Sequence, residues 1–165
     1  MNTAVTNEAA TTYNDEGPTA TDSLDGVVSV TTSGTVDLST VGTSAPSYGY
    51  SDAAGNTATT ARTVTVVDRT APSITIVNTA VTHEAATIYS DEVPTATDTL
   101  DGVVSVTTSG TVDVSTVGSY TLTYSVGDAA GNTATATTTV TVVDAVAPSI
   151  TIVNTAVTHE AATIY

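Results

Sequence analysis

The chain has 165 residues and carries 17 acidic side chains against two basic ones, Arg62 and Arg69, for a formal net charge of −15. So negative a surface repels phosphate backbones and anionic lipid headgroups, which argues against nucleic-acid partners and membrane surfaces. There is no cysteine, lysine, phenylalanine or tryptophan and no apolar run long enough for a membrane helix, so neither disulfide staples nor membrane insertion is expected, and the core must come from Val, Ile, Leu, Ala and Tyr.

Asn2-Thr3-Ala4-Val5-Thr6 returns as Asn78-Thr79-Ala80-Val81-Thr82 and again as Asn154-Thr155-Ala156-Val157-Thr158. The spacing, 78 − 2 and then 154 − 78, is 76 residues, and about 50 of the 68 positions in 2–69 match their counterparts in 78–145. A fixed period of this size marks a tandem array of one folded unit. Function is then sought in what an array does, which is to span distance, present surfaces or assemble. Thr and Val dominate and no three-four spacing is sustained, so the units are expected to be all-β.

Residues 1–68 read as a unit that lacks its first strand. Nothing in it corresponds to Pro72-Ser73-Ile74-Thr75-Ile76-Val77 of the next copy. Its stretch Thr43–Ser51 (TSAPSYGYS) also departs from Ser119–Gly127 (SYTLTYSVG), with Pro46 in place of Leu122 and Ser44 in place of Tyr120. Proline cannot donate in a strand ladder, so this unit is expected to be the weaker one. The change reads either as drift in a tolerant array or as a private contact surface presenting Tyr48 and Tyr50. Asn-Thr-Ala-Val-Thr after Met1 offers neither a basic start nor a hydrophobic stretch, and since the array opens within a repeat this says little about destination.

Residues 69–144 read as a complete unit. Ala71-Pro72-Ser73 is a linker and Ile74–Val77 a first strand. Val81–Tyr89 reads as a second extended stretch. Ser90–Gly102, acidic and ending in Asp101-Gly102, reads as a long loop. Val103–Thr107 and Thr111–Val114 are expected as short strands separated by Ser109-Gly110. In Tyr120-Thr121-Leu122-Thr123-Tyr124-Ser125-Val126 the period of two places the four large residues on one face. Asp128–Asn132 turns the chain, and Thr133–Val143 returns as the partner strand. Seven or so short strands at regular spacing make a β-sandwich of Ig-like type, repeated every 76 residues.

The string GSYTLTYSVGDAAGNTATATTTVTVVD, with an Ala-Pro-x-Ile strand after it and an acidic ATDxLDG loop, resembles the bacterial surface Ig-like repeats, relatives of the hyalin-repeat modules found in tandem in large secreted adhesins. The resemblance covers the whole chain and implies an extracellular location. It carries no ligand, since such modules serve as spacers, fibre units and binding heads alike. The internal Lys–Asn cross-link of some surface Ig domains cannot form here without lysine.

Residues 145–165 supply the first strands of a further repeat, beginning with Pro148-Ser149-Ile150-Thr151-Ile152-Val153. Burying two Ile side chains is worth roughly 1.5–3 kcal/mol each, a large part of the stability of a small unit. Two arrangements are open. Ile150, Ile152 and Val153 form an assembly strand that completes the first unit of a neighbouring molecule, or the chain is a window on a longer array with the strand supplied in cis.

Calcium is the sharpest candidate ligand. Asp91, Asp98 and Asp101 fall in one loop and Asp128 in another, both expected at the N-terminal end of the second unit, beside Asp68 at the close of the first. Asp144 would take the part of Asp68 at the next junction. Several hard oxygen donors would converge there, as calcium requires; the competing reading is solvated carboxylates capping turns. His83-Glu84-Ala85-Ala86-Thr87 begins like a zinc-protease motif, but Thr87 stands where the second His would be and the first unit has Asn7 for His83. No nucleophile–base constellation and no phosphate-cradling loop is present, so no enzyme activity is expected. The reading is a structural module of a bacterial extracellular surface protein, forming a stalk or head-to-tail filament through copies of itself or adjacent repeats. The alternative, a calcium-dependent carbohydrate-binding module, is short of exposed aromatic platforms.

Overall fold

The computed structural model describes residues 3–153, 156 and 160–162. Thr/Val alternation becomes fifteen strands and, among the described residues, no helix. The first unit holds β1 (Ala4–Glu8), β2 (Ala20–Asp22), β3 (Gly26–Val28), β4 (Thr31–Ser33), β5 (Gly42–Ser44), β6 (Ser47–Ser51), β7 (Thr57–Ala61) and β8 (Thr63–Val67). The second holds β9 (Ser73–Thr75), β10 (Ala80–Glu84), β11 (Thr95–Asp98), β12 (Gly102–Val104), β13 (Thr107–Ser109), β14 (Gly118–Gly127) and β15 (Thr133–Val143).

In the second unit one sheet runs β10-β15-β14-β13 and the other β12-β11-β9. The expected hairpin is its backbone: β14 and β15 pair from Gly118 opposite Val142 to Gly127 opposite Thr133. Their period of two buries Leu122, Tyr124, Val126, Val140 and Val142 while the intervening Thr and Ser face outward. Ile76, Val81, Tyr89, Val106 and Val112 pack onto Leu122, Tyr124 and Val140. The two sheets thus close over one apolar layer, the Ig-like sandwich read from the sequence.

Three local expectations are corrected. The extended stretch Val81–Tyr89 stops at Glu84, because Ala86 turns to a left-handed φ of 58° and gives its N–H to the Val114 carbonyl at 2.8 Å. The loop Ser90–Gly102 contains a strand, β11, whose Ala96 and Asp98 point inward; its acidic and Pro-marked surroundings hide this alternation. Thr111–Val114 forms no strand, since Val112 is spent on the core and Val114 on the contact with Ala86. Of the expected strands in 145–165, the described part, including 148–153, is unpaired in this chain, and most of 154–165 lies outside the described residues.

The first unit shows what Pro46 does. At its position the counterpart of β14 breaks into β5 and β6, and opposite it the counterpart of β15 breaks into β7 and β8 at Arg62. One four-stranded sheet becomes two three-stranded ones, β1-β8-β5 and β4-β6-β7. Arg62 still donates its N–H to the Pro46 carbonyl at 3.0 Å, but proline has no N–H to return, so the rung is half made.

Pro46→Leu is expected to rejoin the strand. Heating should show two transitions, the lower from the first unit. The substitution should raise that transition by roughly 4–8 °C for each kcal/mol regained, with the upper one unmoved, as read by calorimetry.

Candidate functional site

The junction between units is built by three short segments. Asp68 follows β8, the Asp98–Gly102 turn joins β11 to β12, and the Asp128–Asn132 turn joins β14 to β15. Side chains hold each turn in shape. Asp98 Oδ1 accepts the N–H groups of Leu100 at 2.7 Å and Asp101 at 3.0 Å, and Gly102 supplies the left-handed φ of 72° that lets β12 begin. Asp128 accepts from Asn132 through its N–H at 2.7 Å and its Nδ2 at 2.8 Å. The turns are tied together by the Ala129 N–H on Asp101 Oδ2, at 2.7 Å. Asn132 Nδ2 reaches back across the junction to the Asp68 carbonyl at 3.3 Å.

The result gathers charge. Carboxylate oxygens of Asp68, Asp101 and Asp128 all lie within 4.8 Å of one another. Asp98 is only 8% exposed, and its Oδ2, like Oδ2 of Asp68, is buried with no hydrogen-bond partner. Burial, reinforced by the negative charges of Asp98, Asp128 and Glu8, pushes the Asp68 carboxyl above the usual aspartate range. Asp98 moves the other way, because the N–H groups of Asp101 and Leu100 hold its ionised form. Two buried carboxylate oxygens without donors thus stand beside two further carboxylates, a concentration of negative charge that Asp68, Asp101 and Asp128 could share with a cation. Arg69 lines the same cleft between the units, and among the described residues the ion pair lies elsewhere, between Arg62 and Asp15.

Of the six aspartates read from the sequence, Asp68, Asp101 and Asp128 come together and Asp98 is felt at Asp68. Asp91 does not join them: it accepts the hydroxyl of Tyr124 at 2.7 Å and that of Tyr89 at 3.4 Å. Asp144 lies exposed beyond the end of β15, where the neighbouring Ala145 N–H is held by Glu84 at 3.1 Å. Tyr48 is 3% exposed and so presents no contact surface. It repeats Tyr124, giving its hydroxyl to Asp15 at 2.6 Å, and that bond to a carboxylate pushes its own pKa up to about 12. Tyr50 is half-buried, with its hydroxyl 3.5 Å from Asp25. Sequence reasoning missed the Tyr–Asp clamp and the bridging Asn132. The signal was present, since Tyr48 and Tyr124, and likewise Asp15 and Asp91, stand 76 residues apart.

The family model described as "Bacterial surface protein, Ig-like domain" matches residues 2–66 and again 78–142. The chain belongs to this bacterial surface Ig-like family. It is 32% identical over 155 residues to hyalin of Strongylocentrotus purpuratus, a match that covers 87% of this chain but spans only 13% of hyalin. A solved structure of a lipoprotein from Bacteroides thetaiotaomicron aligns at 26% identity and a TM-score of 0.41, over 47% of this chain and 40% of that one. Asp68 falls between the two matched copies, and Asp98, Asp101 and Asp128 fall within the second.

Asp68→Asn is expected to raise the melting temperature at neutral pH in the absence of divalent cations. A carboxyl whose pKa is raised on folding opposes folding once ionised, so the gain should shrink as pH falls from above the ordinary aspartate range down to it, and be gone below about 4. Thermal melts of both proteins between pH 3 and 7 check this.

Proposed function

We propose that this chain is a non-catalytic structural segment of an extracellular surface protein, one stretch of a stalk or filament that serves adhesion or a surface matrix, and that calcium bound at the acidic junction stiffens the joint between consecutive units. Membership of a surface Ig-like family supports the structural reading. The observation that carries the calcium reading is the meeting of Asp68, Asp101 and Asp128 from both sides of one junction, beside a nearly buried Asp98 whose Oδ2 has no donor.

Calcium takes six to eight oxygen ligands in flexible geometry, and carboxylates with backbone carbonyls are its usual set. Here the donors come from Asp68 at the end of one unit and from two loops of the next. A cation held among them would tie the units together and offset the repulsion that raises the Asp68 pKa. In the first unit Asp22, Asp25 and Asp52 repeat the two loops: Asp22 Oδ1 caps Leu24 and Asp25, and Asp25 Oδ2 accepts from Ala53. A residue in the place of Asp68 would make the same site there, so the design is periodic. His83 offers no rival chemistry, being engaged with Thr87 and set edge-on to Tyr89 at 5.1 Å.

Calorimetric titration with calcium chloride is expected to give one site with a dissociation constant of about 0.1–1 mM, the range of extracellular calcium modules. At a hundredfold excess over that constant the melting free energy should rise by about 2.7 kcal/mol, and a chelator should reverse it. Asp101→Asn combined with Asp128→Asn should abolish the heat. Affinity should fall as pH drops, and earlier than for ordinary carboxylates, because Asp68 takes up its proton at higher pH. An absence of heat, with melting unmoved by chelator, overturns the calcium reading.

A further inference from the structure

The alternation that fills the core of the second unit also sets what its outer face carries. Between the strand ends, every outward position of the sheet β10-β15-β14-β13 is small and uncharged. The register lines the hydroxyls up in rows. Thr107 lies opposite Ser125 and Ser125 opposite Thr135; Ser109 lies opposite Thr123 and Thr123 opposite Thr137. Toward β10 the pattern continues with Thr121 opposite Thr139 and with Thr141 between Ser119 and Thr82. The one carboxylate in these four strands is Glu84, at the very end of β10, where it accepts the Ala145 N–H at 3.1 Å.

In a chain of net charge −15 this is a segregation. The acids of the second unit stand in turns and at strand ends, among them Asp91, Asp98, Asp101, Asp113 and Asp128. Two such molecules repel wherever those ends meet, and the hydroxyl face is where they approach with least repulsion. The chemistry of the face suits a copy of itself. A carboxylate only accepts hydrogen bonds, so a carboxylate surface cannot pair with its like. A hydroxyl both donates and accepts, and threonine adds a methyl, so a threonine surface is complementary to itself. The first unit repeats the face with gaps: Thr31 lies opposite Gly49 and Gly49 opposite Thr59, while the nearby Arg62 is taken up by Asp15.

We infer that this face is a lateral contact between two copies of this chain, hydroxyl face against hydroxyl face, so that two chains lie side by side. The same patch serves both partners, and the contact is therefore isologous and closes as a pair. The face measures about 19 Å across four strands and about 20 Å along six residues. That is about 400 Å² per copy, half of what a standard interface buries on each partner. One pair of units is weakly held, and repetition multiplies it, because units linked in one chain meet at high effective concentration. The inference uses neither the acidic junction nor calcium.

Sedimentation equilibrium of the whole chain tests it, with a chelator present so that no calcium bridges carboxylates. The mass is expected to rise from monomer toward dimer as concentration approaches about 1 mM, the range of a small interface. It should rise further when sodium chloride goes from about 0.1 M to about 1 M, since the Debye length shortens from about 10 Å to about 3 Å and screens the acids from each other. Thr121→Glu with Thr135→Glu changes two exposed positions that do not face each other. This variant should melt as a folded protein and stay monomeric, its dissociation constant raised at least about tenfold. Ile88→Glu with Val93→Glu adds the same charge off the face, at positions 95% and 63% exposed, and should leave the association as in the unchanged chain. The inference is overturned by a monomer mass at every concentration and salt, by an association that weakens as salt rises, or by one that Thr121→Glu with Thr135→Glu leaves intact. The salt series uses the unchanged chain, so it decides even where the glutamates loosen the sheet.

Discussion

The ladder between β14 and β15 is the constraint on which the second unit depends. Ten consecutive residue pairs hold the two longest strands together, and their inward faces supply the buried Leu122, Tyr124, Val126, Val140 and Val142. The other strands are short: β10 pairs with β15, β13 with β14, β9 touches β15 across the layer, and β11 and β12 follow through β9. Without Phe or Trp the core has little aromatic area to spend, so continuous alternation along two long strands does the work that a few large side chains do elsewhere. The first unit shows the dependence by contrast. There the ladder carries Pro46 in a segment that matches its counterpart only at Tyr48, and the sheet is split.

A compensation stands at the break. Arg62 occupies the position of Thr138, which in the second unit is buried and gives its hydroxyl to the Asn78 carbonyl at 2.9 Å. In the first unit the guanidinium instead pairs with Asp15 and lies 5.8 Å from the Tyr48 ring centre. The Tyr–Asp clamp common to both units thereby gains a cation where the ladder has lost a hydrogen bond. The bond from Tyr48 holds the Asp15 carboxyl below the ordinary aspartate range, with Arg62 adding to it. This contribution is present at neutral pH and is lost as acid titrates Asp15.

Much of this was legible in the sequence because repetition doubles every signal. The 76-residue period and the alternation in 120–126 led to the fold class, and the DAAGN turn fixed the hairpin. What escaped was what depends on contact rather than pattern. β11 was hidden because Asp98 faces inward, which the rule of polar-out alternation forbids unless a turn supplies donors to one of its oxygens. Thr111–Val114 looked like a strand, yet a backbone bond to Ala86, itself in an uncommon left-handed conformation, takes that segment out of any ladder. At the junction the sequence named the right loops but not their reach. Asp91 shares a loop with Asp98 and Asp101, and the strand between them carries it to the tyrosines instead. Tyr48 looked anomalous beside Pro46, although the repeat itself places it in the core.

The chain enters the second unit beside the Asp128–Asn132 turn and leaves it beside Glu84, at opposite ends of the sandwich. Between these points β10 and β15 run parallel, from Ala80 opposite Thr139 to Glu84 opposite Val143, and β1 and β8 repeat the arrangement in the first unit. A pull along the array therefore slides these strands lengthwise past each other. Their hydrogen bonds are loaded in shear and must give way together, whereas a hairpin pulled from its open end would peel one rung at a time. Resistance to force is thus written into the direction of one strand pair in each unit.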